Sequence, residues 1–236
     1  MSNTKSLGVM QPYIFPYIGY FQLVNAVDKF VFLDDVNFIK KGWIHRNNIL
    51  LDGQASLFSV PVAKASQNSL IMDLNVSEAE DWRKKLWTKM EHAYKKAPHF
   101  ESRMELLQEI FALKEGSIST FASNSVIKIA GELGIETTFV PSSSAYPKEH
   151  YGAQRILEIC KEENASQYIN PQGGLDLYDK EMFSAENIEL NFLFSNEISY
   201  KQFGKHDFAP NLSIIDVLMF NSNEQVLALL TQYDLK

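Results

Sequence analysis

Apolar positions fall in short dense blocks at 7–10, 29–33, 137–140, 166–169 and 188–194, separated by longer stretches with helical spacing. The block at 29–33 is β-rich and almost wholly apolar, the pattern of a strand covered on both faces. Between the first two blocks, Phe21, Leu23, Val24 and Val27 fit a one-sided helix over 19–27. Pro12 and Pro16 keep the residues before it out of regular helix. Further helices are predicted at 152–162, 178–183, 212–218 and 224–233. Alternating strand and helix favours a mostly parallel sheet. Two more strands, 47–51 and 56–62, flank Asp52-Gly53, a strong hairpin turn. A short strand is read at 70–76.

The middle of the chain changes period. Trp82, Leu86, Met90, Ala93 and Tyr94 mark one side of a helix starting near 78, with Ser77 as N-cap, Glu80 completing a capping box and Pro98 as its stop. Helices at 100–113 and 119–133 follow, the second stopped by Gly134. The expected architecture is therefore α/β: one domain over 1–236, a Rossmann-like, mostly parallel sheet with a β-hairpin element and a helical insertion at about 77–133.

Composition narrows the class. Of 236 residues, 45% are hydrophobic, enough for a real core, and the net charge of −7 argues against nucleic acid as main partner. The single cysteine excludes an internal disulfide framework, and its setting, RILEIC, reads as the buried face of a helix. Neither an apolar leader nor a run of about 18 apolar residues is seen, so a cytoplasmic protein without a membrane span is expected.

Polar and glycine-rich segments follow several predicted strands: 11–20, 34–47, 141–144 and 170–174. In a parallel sheet such segments meet at the carboxyl edge, where ligands bind. Asp34 and Asp35 repel one another unless a proton or a cation such as Mg²⁺ intervenes, so they read as a base or metal pair, or as a loop cap beside a solvated carboxylate. Lys40, Lys41, His45 and Arg46, with Trp43 and Asn47 alongside, suit a phosphate or carboxylate, or else a solvated hairpin face. Asn170, Gly173 and Gly174 belong to a loop whose amides can face an anion, or to a plain turn. Ser143 sits among hydroxyls after a strand, without a nucleophile elbow. His150 precedes a helix, and the histidines show no zinc spacing. Ser213 and Asp216 share a helical face, as a cap and core turn or as ligand contacts.

The segment QPYIFPYIGYFQLVNAVDKFVFLDDVNFIKKGWIHRNNI, with YGAQRILEIC, YINPQGGLDLY and FAPNLSIIDVLMFN, resembles the WbqC-like family. That resemblance implies work in bacterial surface-polysaccharide biosynthesis, where amino sugars are built and decorated. PYIGYFQLV followed by VDKFVFLDDVNF is also similar in layout to pantothenate synthetase and its nucleotidyltransferase relatives. Tyr17 and Tyr20 stand where that group carries histidines, and Gly19 keeps its glycine, leaving a helix N-terminus open to phosphate.

Together these imply acyl or aminoacyl transfer to the amine of a nucleotide-linked amino sugar, with ATP and Mg²⁺ as the cofactors the second likeness suggests. Lys40, Lys41 and Arg46 would bind phosphate or the activated carboxylate. Asp34 or Asp35 would hold Mg²⁺ or take the amine proton, with His150 as reserve base. Gln11 and Tyr13, Tyr17 and Tyr20 would line the sugar or base pocket. The partners are the nucleotide-linked amino sugar and an acyl or aminoacyl donor, a charged tRNA being the one nucleic acid left open. A nucleotidyltransferase and a non-catalytic nucleotide- or glycan-binding protein are the alternatives.

Overall fold

The computed structural model describes residues 5–63, 65–66, 68–77, 81–113, 116–204 and 207–236. The first apolar block is strand β1 (Ser6–Met10), which stops where Pro12 has no N–H to give. Helix α1 (Ile18–Ala26) returns the chain to β2 (Lys29–Phe32), parallel to β1 with Leu7 opposite Lys29 and Met10 opposite Phe32. The hairpin is β3 (Arg46–Leu51) and β4 (Gln54–Ser59). Its two turn residues, Asp52 and Gly53, have φ of 51° and 76°, the pair of left-handed conformations that a two-residue turn of this twist needs.

Three helices follow: α2 (Trp82–Tyr94), α3 (Phe100–Ala112) and α4 (Ile118–Glu132). The chain then makes β5 (Thr138–Val140), α5 (Gly152–Glu162), β6 (Gln167–Pro171), α6 (Lys180–Ser184) and β7 (Glu189–Ser195). It closes with α7 (Ile214–Phe220), α8 (Asn223–Leu230) and β8 (Tyr233–Leu235). Among the described residues the main sheet has the order β5-β2-β1-β6-β7-β8, parallel except for β8. The architecture is thus α/β with a mostly parallel sheet and a separate antiparallel hairpin, as the pattern predicts.

Both faces of the sheet are covered. Leu7, Val9 and Val31 point into a cluster with Ile156, Cys160 and Phe183 from α5 and α6. Phe30 and Phe32 point the other way, into a larger cluster with α1, the hairpin, the middle helices, α7 and α8. Period-two alternation therefore carries apolar side chains to both sides, which is why the strands read as unbroken apolar blocks. Cys160 is fully buried, and burial pushes its thiol up to about 12, the state of an inert core thiol.

Four local expectations are corrected. The strand read at 70–76 is a 3₁₀ turn (Ile71–Asp73) flanked by isolated bridges. The amides of Ile71 and Met72 donate instead to the carbonyls of Val36 and Asp34 (both 3.0 Å), so the segment props up the loop after β2. The helix read over 224–233 ends at Leu230, because Gln22 from α1 binds the carbonyls of Leu229 and Gln232 and the chain turns into β8. The helix at 178–183 begins at Lys180, with Asp179 as its cap. The α2 cap is Asp81, which accepts from the Lys84 amide, rather than Ser77; Glu80 and the start expected at 78 lie outside the described residues.

Candidate functional site

Because β5, β2, β1, β6 and β7 run parallel, the segments that leave them share one edge of the sheet. Gln11 follows β1, Asp34 and Asp35 follow β2, Ser143 follows β5, Asn170 is the last residue but one of β6 and Ser195 ends β7. The order reverses between β1, which leads on to β2, and β6, which leads on to β7. That is the topological switch point, where the connections diverge and leave a crevice.

A cleft of about 310 Å³ opens there. The first turn of α1 (Ile18 and Gly19, with Tyr17 before them) forms one wall. Pro171 and Gln172 close it from β6, Asn196 and Glu197 from beyond β7, and Tyr200, Phe208 and Asn211 from the stretch that leads to α7. Tyr17 caps α1 without a side-chain bond. The Tyr20 amide donates to the Tyr17 carbonyl (3.1 Å) and Tyr17 is bridged to Ser213, so what the first turn of α1 offers the cleft is the positive end of its dipole. Gly19 is a steric requirement here: the Tyr17 ring lies so close over it that a Cβ would stand 2.5 Å from the ring edge.

Tyr13 is the centre of an aromatic group beside this wall. Its ring lies 6.4 Å from Tyr17, 6.3 Å from Tyr20 and 6.4 Å from Trp43. Burial raises all three tyrosine hydroxyls above their ordinary pKa, so they act as neutral groups. Tyr20 spends its hydroxyl on the Gln11 carbonyl at 2.9 Å and is buried. Tyr17 is the tyrosine of the three that lines the cleft.

The carboxylate pair sits differently from a solvent-facing base. Asp34 and Asp35 are 3% and 4% exposed. Asp34 accepts from Ser142 Oγ (2.6 Å), Ser119 Oγ (2.7 Å) and the Ser143 amide (3.1 Å). Ser143 Oγ accepts from both aspartate amides and donates to Asp35. Arg155, buried on α5, reaches Asp35 at 3.1 Å, and Lys148 lies 3.5 Å away. Each carboxylate is therefore already supplied with donors. Mg²⁺ prefers near-octahedral oxygen ligands and keeps several waters, which this buried, donor-filled pair does not fit.

Arg46 folds back on its own loop, donating to the carbonyls of Gly42 (2.9 Å) and Lys41 and lying 5.1 Å over the Trp43 ring. Lys40 and Lys41 are exposed, whereas Asn47 is buried and binds the Phe15 carbonyl at 2.6 Å. Burial and then Arg46 lower the pKa of His45. Asn170 accepts from Tyr168 and packs onto Gly174, where a Cβ would fall 1.9 Å from its amide nitrogen; a Cβ on Gly173 would meet open space. Ser213 caps α7 and ties it to the Phe15 carbonyl at 2.7 Å. Asp216 is fully buried and accepts from Tyr94 (2.8 Å), Tyr200 (2.6 Å) and Gln202 (2.8 Å). Burial raises its pKa against those three donors. Through Tyr200, Asp216 fixes one wall of the cleft.

The family model for WbqC-like proteins matches residues 11–228. The chain belongs to the WbqC-like family. An uncharacterized Mycobacterium tuberculosis protein, Rv1507c, is 26% identical over 219 residues, covering 92% of this chain and 94% of that protein. No solved structure matches the chain.

Several groups of this WbqC-like chain escape a reading by spacing. Tyr200, Gln202 and Glu197 lie in a stretch without periodicity. Arg155 carried a signal, an arginine four residues before Ile159 on the buried face of a helix. His150 pairs with Glu158, and with Glu149 the three offer ligand atoms all within 4.8 Å of one another, Glu149 and His150 exposed and Glu158 half-buried, a group that could hold a metal ion. Among the described residues no helix is long and apolar enough to cross a membrane.

Proposed function

We propose that this protein binds a nucleotide-linked amino sugar at the N-terminus of α1 and transfers an acyl or aminoacyl group to its amine, in bacterial surface-glycan biosynthesis. The observation that carries the reading is the switch-point cleft, with the first turn of α1 on one wall and polar and aromatic groups on the others. The end of α1 suits a diphosphate. Tyr17, Tyr200 and Phe208 offer ring faces and hydroxyls to a sugar or base. Amide formation requires the attacking amine to lose a proton as the acyl carbon–nitrogen bond forms and the donor's leaving group departs. Glu197, an exposed carboxylate on the cleft, is the base we assign to that proton. Asp34, Asp35 and Ser143 act as posts that hold the β2 and β5 ends together, and Asp216 positions Tyr200. Lys40 and Lys41, both exposed, would steer an anionic substrate.

The test combines calorimetric titration of a uridine-diphosphate-linked amino sugar with product detection by mass spectrometry, using a panel of acyl donors with and without ATP and Mg²⁺. Glu197→Gln should keep sugar affinity and lower turnover by roughly 10²–10⁴. Full turnover in that variant would remove Glu197. A second reading, a non-catalytic nucleotide- or glycan-binding protein, is favoured by the donor-filled state of Asp34 and Asp35; sugar binding without any product in the whole panel would select it.

A further inference from the structure

A second concavity lies on the same sheet edge, at the N-terminus of α5, with a volume of about 180 Å³. Leu33, Val36, Ile156, Leu177 and Tyr178 make its walls apolar. Its charged groups are Lys148 and Arg155. Arg155 is 2% exposed, and its Nε has no hydrogen-bond partner among the described residues although its other nitrogens hold Asp35 and the carbonyls of Ser143, Tyr146 and Pro147. Lys148 leans on Asp35 and over the Tyr151 ring at 5.2 Å. Two cations thus share one carboxylate. Tyr151 caps α5 without a side-chain bond, so the positive end of an eleven-residue helix adds to the excess. Glu158, further along α5, is paired with His150.

We infer that this cavity is a carboxylate site: it takes a short-chain monocarboxylic acid, in the transfer reading the free acid that becomes the acyl donor, with the carboxylate toward Arg155, Lys148 and the α5 N-terminus and the carbon chain against Leu33, Val36 and Ile156. An inorganic anion leaves the apolar walls uncovered, and a neutral apolar molecule leaves the cations unanswered. The volume equals about six liquid waters, enough for a chain of roughly three to six carbons. Its role as the donor site rests on the transfer reading above; carboxylate binding does not.

The probe is sodium butyrate, titrated by calorimetry and by saturation-transfer NMR with no sugar present, beside butyramide and inorganic phosphate. Butyrate should bind saturably, at least tenfold more tightly than either control. Ala153→Leu, which places a larger side chain in the cavity wall, should abolish binding, and Lys148→Gln, at a partly exposed position, should weaken it about threefold to tenfold. Sugar titration of Ala153→Leu should match wild type, so failure at one site is read apart from failure at the other. Equal binding of butyramide or phosphate, unchanged butyrate affinity in both variants, or no saturable butyrate binding at all would overturn the assignment.

Discussion

Replacing Asp34 by Asn separates a structural post from an acid or base. The carboxylate accepts two bonds on Oδ1, from Ser142 and Ser143, and one on Oδ2, from Ser119. Asparagine keeps one oxygen, which can go on serving Ser142 and Ser143. The amide nitrogen that replaces the other turns the Ser119 hydroxyl from donor to acceptor and removes the charge that strengthened all three contacts. One hydrogen bond to a charged group is worth about 1.5–3 kcal/mol in a buried setting. Losing that much should lower the melting temperature by about 3–12 °C in a chain of this size. Asp34→Ala, which leaves all three donors without their acceptor, should cost more. The assay is thermal unfolding of wild type and both variants, paired with turnover measured well below the transition. A post predicts a clear drop in melting temperature and turnover within a few-fold of wild type. An unchanged melting temperature with turnover reduced a hundredfold would refute the structural assignment and return Asp34 to the chemistry.

Three further outcomes are expected. Burial tends to raise the Glu163 carboxyl, but Lys29, Lys5 and Tyr146 outweigh it and lower its pKa from 4.5 to about 2. The stability this brings is present above pH 4.5 and is lost as pH falls toward 2. Glu163→Gln should therefore flatten the acid limb of melting temperature against pH, and superimposable curves would contradict the pairing. Gly174→Ala should force Asn170 aside, since the new Cβ would stand 1.9 Å from its amide, at a cost of about 1–3 kcal/mol by denaturant titration. Cys160 should resist a maleimide in the native protein and react only on unfolding, and rapid native labelling would contradict its burial.

The elements that the chain encodes locally were legible in its order of residues. Burial on both faces demands contiguous apolar blocks, so β1, β2 and β7 could be read directly, and α5 was read to the residue. The Asp52-Gly53 turn needs two left-handed residues and announces itself. The position of Asp34 and Asp35 at a strand end was equally plain, but their state was not. The partners that fill them, Ser119, Ser142, Ser143 and Arg155, lie 85 to 120 residues away along the chain, and no local period encodes such a pairing. For the same reason the cleft wall formed by Glu197, Tyr200, Phe208 and Asn211 was invisible: these residues lie outside helices and strands, and Tyr200 is held by Asp216, which Tyr94 and Gln202 also bind. Local pattern records which residues must leave water and with what period. Which loop meets which across the sheet edge, and hence where two helix N-termini open onto cavities, is decided only when the strands take their order.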